Sequence, residues 1–83
     1  VSFMQDGVVY AAVNLERANA VALISFENPL KPKVMDVASI DPTAGDGDIA
    51  PEGIAHYHNA ESNTHYIYTA NEKDGTLAVF KVR

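Results

Sequence analysis

Three short stretches concentrate the side chains able to bind or transform something: "NLER" at 14–17, "DGDIAPE" at 46–52 and "NEKD" at 71–74. Together they offer the oxygens of Asn14, Glu16, Asp46, Asp48, Glu52, Asn71, Glu72 and Asp74, with the guanidinium of Arg17 among them. Hard donors of this kind suit Ca²⁺, which takes roughly six to eight oxygen ligands. The same residue types have a plainer use. Asn and Asp cap strand ends and bond turn backbones, and Glu16 and Arg17 can pair with each other.

A second group is imidazole. His56 and His58 alternate within "GIAHYH" and so point to one side of a strand. His65 lies in the next run, which allows a three-histidine metal site to be drawn. Zinc needs its ligands to converge at about 2.0–2.1 Å, and the spacing alone does not require that. Tyr57, Tyr66 and Tyr68, interleaved with the histidines, read as ordinary strand packing. Nucleophilic catalysis has little to work with. Ser25, Ser39 and Ser62 lack a G-x-S-x-G setting, the chain has no cysteine, and "AGDGD" is followed by no helix that would make it a phosphate loop.

The elements that must position these groups are strands. With 83 residues, 47% of them hydrophobic and 20% charged, the chain has the composition of at most one small folded domain. A net charge of −5 with six scattered Lys and Arg residues leaves no basic stripe for nucleic acid. No apolar run approaches the roughly 18 residues of a membrane span. The chain opens on Val1 as though leading into a strand, which is expected of an internal or processed piece.

Six strand-like runs stand out: 8–14 (VVYAAVN), 20–26 (AVALISF), 33–39 (KVMDVAS), 53–58 (GIAHYH), 65–71 (HYIYTAN) and 76–82 (TLAVFKV). "ENPLKP" carries two prolines that mark a turn, and the Asp-Gly of "EKDG" supplies the positive φ of a hairpin. No stretch has sustained helical periodicity. An internal repeat supports an all-β chain: "YAAVNLERANAVALISF" and "YTANEKDGTLAVFKV" share strand, charged turn and strand, with 20–26 aligning to 76–82 without a gap and one extra residue in the first turn. The plan is that of β-propeller blades, four-stranded antiparallel sheets set radially about a channel. The expected fold is therefore a β-propeller fragment, roughly two incomplete blades, with residues 1–83 supplying strands B, C and D of one blade and A, B and C of the last.

On these residues the chain resembles the C-terminal blades of the choice-of-anchor I family. The resemblance runs in order through Leu15-Glu16-Arg17, Asn28-Pro29 with Pro32, Pro51-Glu52-Gly53, Ala70-Asn71-Glu72 and Gly75-Thr76. It departs at "HYHNAESNTHY", where the family has a more apolar strand. It implies a secreted or surface-anchored propeller, extracellular, periplasmic or at the cell surface, with phytase-like and alkaline-phosphatase-like relatives. In such a ring the three polar stretches share one face at the channel mouth. Glu52, Asn71, Glu72, Asp46 and Asp48 are then the candidate Ca²⁺ donors, while Asn14, Glu16, Arg17 and Asp74 complete a binding face.

Two functions follow as expectations. One is a binding or scaffold module within a larger chain or assembly, its partners being the remaining blades of a parent propeller or other copies of the chain. The alternative is a calcium-dependent hydrolase of the phytase, phosphatase or lactonase kind. Ile54, Ile67, Leu77, Val79, Val21 and Leu23 are expected to be buried between neighbouring sheets. A foreign strand is expected antiparallel to 76–82, with further strands before Val8.

Overall fold

A computed structural model describes residues 1–82 of the chain. It is all-β: β1 (Ser2–Gln5), β2 (Val8–Leu15), β3 (Ala20–Ser25), β4 (Lys33–Ser39), β5 (Pro51–Asn59), β6 (Thr64–Asn71) and β7 (Thr76–Val82), with no helix among the described residues. The strands form two antiparallel meanders, a four-stranded sheet in the order β1-β2-β3-β4 and a three-stranded sheet in the order β5-β6-β7. The first sheet has four strands where the six runs supply three, and the added one lies before Val8, where a further strand is expected. β1 precedes Val8 and turns into β2 through Asp6-Gly7, whose φ values of 51° and 78° make the two-residue hairpin that fits the right-handed twist of paired strands.

The turn 16–19 joins β2 to β3, and the turn 72–75 joins β6 to β7. They are equal in length, and each ends on a left-handed residue, Asn19 at φ 52° and Gly75 at φ 69°. The hairpins close on the pairs Leu15↔Ala20 and Asn71↔Thr76. The repeat therefore needs no extra residue in its first turn. Its true register sets Asn71 against Leu15 rather than Asn14, and one step reverses the face on which a side chain stands.

The sheets pack face to face. Phe3, Ala12, Val21 and Ile67 form the buried cluster, with Tyr10, Leu23, Ile54, Phe80 and Val82 against it. Of the residues expected in the core, Val21 and Ile67 are buried and Ile54 and Leu23 half-buried. Leu77 and Val79 are 65% and 52% exposed. They stand on the far face of the second sheet, which nothing among the described residues covers. Between β4 and β7 the two sheets do not close fully. A cleft of about 290 Å³ opens there, lined by Leu23, Asp36 and Ala38 on one side and Phe80, Lys81 and Val82 on the other.

Candidate functional site

The crossing loop from β4 to β5 brings the three polar stretches to one end of the molecule. Gly47 donates its N–H to the carbonyl of Arg17, Glu72 to that of Ala50 and Lys73 to that of Ile49. Ile49 and Ala50 are buried under the loop. The organising residue is Asn19, itself buried. Its amide donates to the Gly45 carbonyl at 2.7 Å, and its Oδ1 accepts from the N–H groups of Ile49 and Ala50 at 3.0 and 3.3 Å. Asn is suited to this place because it tolerates the left-handed backbone and bonds neighbouring main chain.

At this end the carboxyls of Glu52 and Glu72 meet. Pro51 pairs with Asn71 at the base of β5 and β6, and with a bulge between Pro51 and Gly53 this puts Glu52 at the strand end that leads into the 72–75 turn. The hydrogen bond to Glu72 and then repulsion from its charge hold Glu52 above the usual carboxylate range, with a smaller push from Glu16. Asn14 ties the first sheet to this point, its amide donating to the carbonyls of Glu52 and Gly53 at 2.9 and 3.3 Å, while its Oδ1 is buried without a partner.

The other candidate donors are occupied in shaping turns. Asn71 is buried, accepts from the Thr69 hydroxyl and donates to that of Thr76. Asp48 accepts from the Gly45 N–H. Asp74 accepts from both the N–H and the hydroxyl of Thr76. Asp46 and the side chain of Arg17 are exposed. The five residues named for Ca²⁺ thus do not form one cage: Glu52 and Glu72 converge, with Glu16 nearby, and Asn71 and Asp48 are turned to other work. Among the described residues no group of three or more His, Cys, Asp and Glu side chains is arranged to hold a metal.

The histidines lie elsewhere: His65 is buried and His56 half-buried in the seam between the sheets, with the exposed His58 beside them. His58 stacks on His65 with centroids 4.2 Å apart and planes at 9°. Phe3 from β1 stacks on His65 at 4.5 Å and on His56 at 4.9 Å. His56 Nε2 and His65 Nδ1 share a hydrogen bond at 2.8 Å, and His58 Nε2 bonds the Asn63 side-chain oxygen at 3.0 Å. His65 is 2% exposed and its Nε2 has no partner. Burial, with repulsion from the neighbouring imidazoles, lowers the pKa of both His56 and His65.

Sequence reasoning missed Asn19 and Phe3. The first sits in the "NLERAN" stretch, and a residue ending a charged turn before a strand is a position where Asn marks positive φ. The second precedes an Asp-Gly dipeptide, a hairpin signal. No family model, no curated protein and no solved structure matches the chain.

Proposed function

We propose that the chain is a pair of neighbouring blades of a β-propeller, acting as a binding or scaffold module in a secreted or surface-displayed assembly. One observation carries this reading: the two sheets are stacked head to tail. Aligning the closing pairs of the β2–β3 and β6–β7 hairpins sets Tyr10, Ala12, Val21 and Leu23 against Tyr66, Tyr68, Leu77 and Val79. The first set is the face of sheet one that packs on sheet two. The second is the open face of sheet two. A head-to-tail contact propagates, closing into a ring when its rotation allows, and both end faces must then be covered by further sheets. The free edge of β7 and the cleft beside it fit one more antiparallel strand.

The polar end formed by the loop 40–50 and the turns 16–19 and 72–75 is the binding face of such a module. The Glu52–Glu72 pair favours a second reading, a calcium-dependent hydrolase, since a cation between two carboxylates relieves their repulsion. The readings separate in two measurements. A scaffold module leaves p-nitrophenyl phosphate and lactones unhydrolysed with Ca²⁺ or with chelator; chelator-sensitive turnover lost in Glu52→Gln would establish the hydrolase. A module that needs neighbours should unfold broadly when residues 1–83 are heated as a dilute monomer. A sharp cooperative transition under those conditions would overturn the blade reading.

A further inference from the structure

The two open faces of this chain are counterparts of the two faces already joined inside it. Sheet one turns Met4, Val9, Val13, Ile24, Val34 and Val37 outward, and Met4, Val9, Val13, Val34 and Val37 are all exposed. In the aligned register Ala11, Val13, Ala22 and Ile24 correspond to Ile67, Thr69, Ala78 and Phe80, the side of sheet two that packs on sheet one. Sheet two turns Tyr57, Tyr66, Tyr68, Leu77 and Val79 outward, the counterpart of the packing side of sheet one. Each chain therefore carries both halves of one interface, on opposite sides, with neither half able to reach the other within the chain.

We infer that a second copy of the chain seats its β1–β4 sheet on the open β5–β7 face, repeating the internal sheet-to-sheet contact between molecules. The inference rests on the head-to-tail reading above. The occupant is a second copy because this chain carries the complementary face in the same strand register as the pair of faces already joined within it. The contact is heterologous, so each copy leaves a new open face and growth continues beyond a dimer. With a net charge of −5 on every copy, mutual repulsion opposes association, and added salt strengthens it by screening.

The test uses one blocked face at a time. Val79→Glu places a charge on the open face of sheet two, and Val13→Glu does so on sheet one; both positions are well exposed, at 52% and 41%, so the fold tolerates the change. Tyr57→Glu repeats the sheet-two block from another strand, and far-ultraviolet circular dichroism checks each variant for folding. In sedimentation velocity the unmodified chain should pass the mass of a dimer as concentration rises through the micromolar range. Each variant alone should stay monomeric. Their equimolar mixture should form a heterodimer and nothing larger, because each variant keeps the face that the other lacks.

A chain monomeric throughout the range would overturn the inference, as would variants that each dimerise alone or a mixture that stays monomeric. A monomeric chain that still unfolds broadly would assign the open faces to other polypeptide and leave the blade reading standing. A monomer that unfolds cooperatively would remove both.

Discussion

At the scale of single residues, the imidazole seam makes stability depend on pH. His56 and His65 have folded pKa values below the ordinary imidazole range because burial and then the nearby His58 disfavour the cations, with smaller pushes from the Val1 amino group on His56 and from His56 on His65. The charged groups near them add nothing that would hold a proton. His58 and the Val1 amino group carry the same sign, Tyr10 of β2 stacks on Phe3, and β7 brings the apolar Val82 opposite His65. Groups depressed in this way stabilise the fold above the unfolded value of about 6.5 and lose that contribution as pH falls through the folded pKa. Melting temperature should therefore fall on acidification from neutral. Glu52 has the opposite sign: its raised pKa makes protonation favourable in the fold, a gain confined to the carboxylate range. His56→Phe, which keeps a stacking ring without a titrating nitrogen, should flatten the loss below pH about 6.5. An unchanged slope in that variant would show that the seam does not control acid stability. The histidines were visible in the sequence as a same-side pair with a third nearby. Their stacking was not, because it depends on Phe3, brought from another sheet.

At the scale of elements, the turns carry more of the organisation than their composition suggests. Asn19 closes the β2–β3 turn, carries the strained left-handed backbone and anchors the crossing loop through three hydrogen bonds. Asn19→Ala leaves two buried N–H groups unpaired and keeps an L side chain at positive φ. The expected cost is about 2–4 kcal/mol, from unsatisfied donors and left-handed strain. Asn19→Gly should cost less, because it removes the strain and loses only the bonds. Hydrogen exchange at the Ile49 and Ala50 amides of the three proteins measures both. Equal losses for Ala and Gly would mean that strain plays no part. The strand positions from Val8 onward were legible from β-branched and aromatic runs bounded by Pro, Gly and Asx residues. β1 was legible only as a strand expected before Val8, without bounds, since "SFMQ" is short and carries no β-branched residue. An extra residue in the first turn would set Asn14 against Asn71, whose likeness as letters hides opposite faces. The gathering of 14–17, 46–52 and 71–74 at one end followed from the order of strands. Which of their side chains remained free did not, because Asn71, Asp48 and Asp74 turn inward to their own loops.

At the scale of the whole molecule, one buried face must hold two sheets together, and β1 shows the consequence in two adjacent residues. Phe3 points into the seam, 7% exposed and stacked on Tyr10, His56 and His65; Met4 points outward, 62% exposed. For a chain of this size, which buries roughly 60–65% of its surface on folding, the seam is the main source of apolar burial. Phe3→Ala should cost about 3–5 kcal/mol, a large part of a small domain's total stability, and should open the sheets. Met4→Ala should be nearly neutral in a dilute monomer, within about 0.5 kcal/mol, as at other solvent-facing positions. The same change should become costly wherever another sheet covers the outer face, reaching about 2–5 kcal/mol for a buried methionine. Measuring both variants by hydrogen exchange, in the dilute chain and in its associated form, reads the seam and the outer face separately. If Met4→Ala stayed neutral after association while Phe3→Ala remained costly, the outer face of the first sheet would not be where neighbours dock.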